Sequence, residues 1–148
     1  MSKRPPRPSD MPWMLPTLTV RDVDRALDFY EKALGFEPGT RMPGPGGKTM
    51  HGDMRYRDHI VMLGPETDQM PDRAPVTTGT PAPISLYVYV EDVDASFKRA
   101  VDAGCKVGFP VEDMFWGDRC GQVIDPEGYN WWLATNVADF DPSKVPTQ

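Results

Sequence analysis

Apolar residues recur at helical spacing in two places along this chain, and alternate with polar residues in the segments around them. From Val23 to Leu34 the apolar positions Val23, Ala26, Leu27, Tyr30, Ala33 and Leu34 fall at i, i+3, i+4, i+7, i+10 and i+11, one face of an amphipathic helix. Asp22 stands in front of it as an N-cap, a carboxylate able to accept from the free amides of the first turn, and Gly35 supplies the stop. A second helix is expected over 93–103, with Val93, Phe97, Ala100 and Val101 on one face between Asp92 and Gly104. Strand patterns flank both: near 14–20, 36–41, 48–57 and 59–64 around the first helix, and near 84–90, 105–111, 118–124 and 129–135 around the second.

The order of elements is therefore βαβββ written twice, and the sequence repeats with it. Val20-Arg-Asp-Val-Asp24 returns seventy residues on as Val90-Glu-Asp-Val-Asp94. A unit that recurs once implies two similar halves around a shared core, with a site in the concavity they form. Residues 1–12 read as a flexible N-terminal arm and 13–136 as a single domain. Module one covers about 13–64, a linker 65–83, module two 84–136, and a C-terminal tail 137–148. The linker assignment rests on the breakers crowded between Pro65 and Pro83 and on the absence of any periodicity there.

Strand alternation sorts the two faces of each sheet. In 84–90, Leu86, Val88 and Val90 oppose Ser85, Tyr87 and Tyr89; in 15–20, Leu18 and Val20 oppose Thr17 and Thr19. A helix over the aliphatic face leaves the mixed polar and aromatic face to line the concave side, a binding-cavity pattern. The competing reading is that this face simply meets solvent.

Composition narrows the partners. A formal net charge of −6 and a sequence pI near 4.8, with no basic cluster, argue against nucleic acid. No apolar stretch approaches the roughly 20 residues that span a bilayer, and no apolar segment follows the first positive charges as a signal peptide would require. Cys105 and Cys120 have no zinc-type or CxxC spacing, which fits reduced thiols in a cytoplasmic protein.

Thr19-Val-Arg-Asp-Val-Asp-Arg-Ala-Leu-Asp-Phe-Tyr30 with Ala33-Leu-Gly-Phe36, set in a duplicated βαβββ unit, resembles the vicinal oxygen chelate superfamily of glyoxalases, extradiol dioxygenases and bleomycin resistance proteins. Asp125-Pro-Glu-Gly-Tyr-Asn-Trp-Trp-Leu133 resembles the turn and last strand of its second module, and Met114-Phe-Trp-Gly-Asp-Arg119 resembles the PhnB-like branch. The resemblance covers about 13–136. It implies an α+β fold of two tandem βαβββ modules whose mixed sheets form a half-barrel cavity, and a homodimer. It also implies a divalent-metal site, one ligand from the first and last strand of each module, which the motifs place at Leu15, Met62, Ser85 and Trp132. Neither Leu15 nor Trp132 can ligate a hard cation, Met62 is a soft thioether, and Ser85 is a poor neutral ligand. Shifting the register by one residue gives no better set. Glyoxalase and dioxygenase chemistry requires a Lewis acid, so the expectation is a protein of this superfamily that lacks the usual ligands. It would bind a small, partly aromatic organic molecule, with no cofactor.

The remaining candidates are few. His51 and His59 sit on what read as paired strands and, with Asp53, offer a displaced metal site for a lyase, isomerase or dioxygenase; the alternative is strand-edge histidines beside Arg55, Arg57 and Asp58. In Phe115-Trp-Gly-Asp-Arg119, Trp116 can stack on a planar ligand, while Arg119 can pair with Asp118 or hold an anionic group in a bidentate way. Asp125-Pro-Glu-Gly128 reads as a structural β-turn. Trp131 and Trp132 must face opposite sides of the sheet, Trp132 toward the cavity. The expected ligand-binding set is Leu15, Met62, Ser85, Tyr87, Tyr89, Trp116, Arg119 and Trp132.

Overall fold

The structure, a computed structural model, describes residues 3–147. In chain order it has β1 (Thr17–Val20), α1 (Val23–Leu34), β2 (Glu37–Pro43), β3 (Thr49–Tyr56), β4 (His59–Pro65), α2 (Pro75–Thr78), β5 (Ser85–Tyr89), α3 (Val93–Ala103), β6 (Lys106–Asp113), β7 (Asp118–Ile124) and β8 (Asn130–Asn136). Both long helices start where a carboxylate can hold their free amides. Asp22 accepts from the amide of Arg25 at 2.9 Å, and Asp92 accepts from Ala95 at 3.2 Å. Gly35 ends α1 at φ 73°, a left-handed turn that a Cβ would disfavour.

Four strands make each sheet, and the two sheets have the same topology: β1-β4-β3-β2 and β5-β8-β7-β6. The first strand of each module runs parallel to the last, and the other pairings are antiparallel. The sheets are separate and do not close into a barrel. The chain divides into two compact units, one holding β1–β4 and the other β5–β8.

Within each unit a helix covers the aliphatic face, and one glycine shows how closely. A Cβ on Gly52 would lie 2.8 Å from side-chain atoms of both Leu27 and Val23 in α1; a Cβ on Gly121 would lie 2.8 Å from Phe97 in α3. The first core joins Leu18, Val20, Leu27, Tyr30, Met54 and Leu63; the second joins Val93, Ala100, Val123, Trp131 and Leu133, all buried. Burial of side chains this size stabilises by about 1.5–3 kcal/mol each before the chain entropy it opposes.

Residues 65–83, read from the sequence as the linker between the modules, contain a short helix. Arg73 gathers the chain by donating to the carbonyls of Thr67, Met70 and Asp72 at 3.1, 2.8 and 2.7 Å. After it comes α2, which opens on Pro75, and the Val76 amide donates to the Glu127 carbonyl at 2.9 Å. Four residues are too few to show helical periodicity in a sequence, so the pattern of breakers concealed this helix. The predicted tail is tied at its start. The amides of Val137 and Ala138 both donate to the Gly117 carbonyl, at 2.9 and 3.0 Å.

Candidate functional site

The sheet face turned away from α3 carries the densest chemistry. Parity follows from Gly121 and Trp131 under the helix: Tyr87 and Tyr89 of β5, Trp132 and Asn136 of β8, and Asp118, Cys120 and Gln122 of β7 point the other way. Tyr87 lies directly across from Trp132 in the parallel ladder, and Phe109 of β6 packs tilted on Trp132 with ring centroids 5.7 Å apart. The Tyr87 and Tyr89 rings are edge-to-face at 5.5 Å.

Asp118 organises this face. Its carboxylate is 2% exposed and accepts both phenol hydroxyls, Tyr87 and Tyr89, on one oxygen at 2.8 Å each. The other oxygen accepts from the Asn136 amide at 3.0 Å. The Trp116 indole N–H donates to the Tyr87 hydroxyl at 3.3 Å. Gly117 makes this arrangement possible: it sits at φ 99°, and a Cβ there would lie 2.2 Å from the Ala138 carbonyl oxygen. The loop before Asp118 and the chain after Asn136 are thereby locked together.

The electrostatics follow from these contacts. Burial alone would raise Asp118, but hydrogen bonds from Asn136, Tyr89, Tyr87 and Trp116 outweigh it and hold the carboxyl below its ordinary value. Burial pushes the Tyr87 phenol far above its usual range, and the hydrogen bond to Asp118 raises Tyr89. Burial also raises the Cys120 thiol. Near pH 7 these shifts hold Asp118 ionised and keep both phenols and the thiol protonated.

Of the two readings of Arg119 in the loop motif, a pair with Asp118 or a bidentate contact to an anionic group, the pair with Asp118 does not form. Neighbours in a strand point to opposite faces, so Arg119 reaches the helix side. There it forms a bidentate pair with Asp94 of α3, both contacts at 3.0 Å, and meets Asp113 at 3.2 Å. The turn Asp125-Pro-Glu-Gly128 is structural: Asp125 accepts from the amides of Glu127 and Tyr129 and from the Trp131 indole, at 2.8, 3.0 and 2.8 Å. Trp131 is buried beneath the helix and Trp132 is half-buried on the other face.

In the first unit, Met62 and Asp53 lie on the face away from α1, cross-strand neighbours in β4 and β3. Leu15 lies two residues before Thr17, the β1 partner of Met62. Asp53 is 8% exposed and accepts from the Thr40 amide at 3.3 Å. A Cβ on Gly39 would lie 2.0 Å from its Oδ1. The second unit repeats this device, with a Cβ on Gly108 falling 2.4 Å from Oε1 of Gln122. In both units the glycine lies where the ladder of the edge strand, β2 or β6, shifts register.

The residues present do not fit the superfamily's metal. Leu15, Met62, Ser85 and Trp132 supply no carboxylate or imidazole. His51 and His59 are not neighbours. His59 pairs with Tyr56, five residues or roughly 17 Å along β3 from His51, and its side chain is 80% exposed beside Asp58. The hairpin turn lies at the His59 end, so histidines eight apart in sequence are spread along its length. Among the described residues no group of three or more His, Cys, Asp and Glu is placed to hold a metal ion.

Of the expected binding residues, Tyr87, Tyr89 and Trp116 come together at Asp118, with Trp132 across from Tyr87. Ser85 begins the same strand, opposite Asn130. Asp118, Phe109 and Asn136 were missed as members of this group. Strand parity could have supplied Asp118 and Asn136, which pair across β7 and β8 in phase with Trp132. Phe109 follows a bulge that shifts its register and hides its face from simple alternation.

A family model described as the Glyoxalase/Bleomycin resistance protein/Dioxygenase superfamily matches residues 14–133. An uncharacterized protein of Mycobacterium bovis is 38% identical over 137 residues, which is 90% of each chain. Among solved structures, TioX from Micromonospora sp. ML1 is similar at 29% identity and a TM-score of 0.64, over 84% of this chain and 98% of that one. A glyoxalase/bleomycin resistance protein from Streptomyces sp. CB03234 is similar at 26% identity and a TM-score of 0.58, over 80% and 96%. With its duplicated βαβββ fold, this chain belongs to the glyoxalase/bleomycin resistance protein/dioxygenase superfamily.

Proposed function

We propose that this protein binds a small, partly aromatic organic molecule without a metal, in the manner of a bleomycin-resistance protein. The carrying observation is the aromatic face fixed by Asp118, where Tyr87 and Tyr89 are 43% and 56% exposed though their hydroxyls are tied down. Held aromatic rings offer contact area with little conformational entropy left to lose. Trp132 and Trp116 extend that area within the same unit. The absence of imidazole and carboxylate at the four family metal positions supports the same reading. From the resemblance of Met114-Phe-Trp-Gly-Asp-Arg119 we further propose that the chain falls in the PhnB-like branch, and we take the working form to be a cytoplasmic homodimer.

Thermal denaturation in EDTA against a panel of aromatic compounds and antibiotics tests the reading. Specific compounds should raise the Tm of the wild type, and Trp132→Ala should remove that rise while the protein still unfolds cooperatively. A panel that leaves the Tm unmoved, or a response seen only with added divalent metal, would reject it.

A further inference from the structure

We propose that the molecule bound on this face carries a cationic group, an organic ammonium or a close relative, seated over the Tyr87–Asp118–Tyr89 node. The inference rests on the ligand-binding reading above and specifies the chemistry that the site selects. Asp118 is a buried carboxylate, 2% exposed, whose hydrogen-bond donors are all uncharged: no ion pair to it forms among the described residues. The nearest arginine in sequence, Arg119, is committed to Asp94 and Asp113 on the other side of the sheet. Hydrogen bonds satisfy the lone pairs of a carboxylate but leave its charge in place, and that charge acts further in a poorly solvated setting than in water.

The donor inventory points the same way. A phenol has one proton, and both Tyr87 and Tyr89 give theirs to Asp118. Toward a ligand, these hydroxyls can only accept. The face of an aromatic ring carries the negative side of its quadrupole, which attracts cations and repels carboxylates, and Tyr87 and Tyr89 are both part-exposed. A charge behind two acceptor-only phenols, framed by aromatic rings, is complementary to a positive group that also donates. A purely structural node would need the carboxylate and Asn136 to fasten Gly117, but it would not need two half-exposed tyrosines holding the same oxygen.

Calorimetric titration of the full chain at neutral pH, in EDTA, with three probes of similar size decides the matter: benzylammonium, benzyl alcohol and benzoate. The cation should bind at least about tenfold more tightly than the alcohol, and benzoate should bind weakest. Raising the salt concentration should erode only the advantage of the cation. Asp118→Asn, which keeps the shape and removes the charge, should bring the cation and the alcohol to parity; Tyr87→Phe, which keeps the charge, should retain most of the preference. Equal affinities, or tighter benzoate, would overturn the cation inference and leave the binding reading intact. Binding of none of the three, alongside a silent thermal panel, would reject both. If Asp118→Asn fails to fold, the wild-type ranking and its salt dependence still decide.

Discussion

Asp118 is the residue on which the site turns, and its ionisation links the site to stability. Its carboxyl is held below its ordinary value in the folded protein. The ionised, hydrogen-bonded form therefore stabilises the fold above the unfolded-state value, about 3.9. That contribution is lost as pH falls through the lower, folded value. Asp118→Asn should cost roughly 1–3 kcal/mol at neutral pH, the range for disturbing a buried hydrogen-bonded group. The gap to wild type should narrow below about pH 4; urea denaturation at several pH values measures both, and a gap that is constant with pH would contradict the linkage. The thiols give an independent check. Burial pushes Cys105 up to about 12 and also raises Cys120. Neither should react with a disulfide reagent at pH 8 until the chain unfolds, and fast labelling of the native protein would contradict that.

Elements were the most legible scale in the sequence. The α1 and α3 boundaries read from Asp22, Gly35, Asp92 and Gly104 match the structure, because a capped amphipathic helix writes both its face and its ends into local sequence. Bulges do not. Gly39 and Gly108 mark edge strands that slip register so that Asp53 and Gln122 can tuck against a backbone without a Cβ, and one glycine in a strand pattern does not say which polar side chain will use it. Gly39→Ala should destabilise by about 1–3 kcal/mol, since displacing Asp53 Oδ1 also sacrifices its bond from the Thr40 amide. Adding Asp53→Ala should relieve much of the clash, so the two changes together should cost less than their sum. Strict additivity by denaturant unfolding would mean that the close approach carries no energy. The same limit explains Arg119, whose type suggested an anion contact. Only its position, one residue from Asp118 in an alternating strand, sends it to Asp94.

At the scale of the whole molecule, the duplication was visible in Val20–Asp24 and Val90–Asp94, and it carries the superfamily and both sheet topologies. The candidate site was only half visible. Its aromatic members follow from alternation, whereas the carboxylate that orders them belongs to a loop motif whose partners, Tyr87, Tyr89 and Asn136, lie 18 to 31 residues away. The two modules share their architecture and differ in what faces away from the helix: phenols, tryptophan and a buried charge in the second, threonines, Met62 and Asp53 in the first. That asymmetry is where a duplicated scaffold becomes a specific one. The most direct test is amide NMR of the chain in EDTA, titrated with an aromatic probe that stabilises it. Metal-free binding at the Asp118 face predicts saturable shifts centred on Tyr87, Tyr89, Trp116, Asp118 and Trp132. Shifts confined to other surfaces, or appearing only once a divalent metal is restored, would contradict the account.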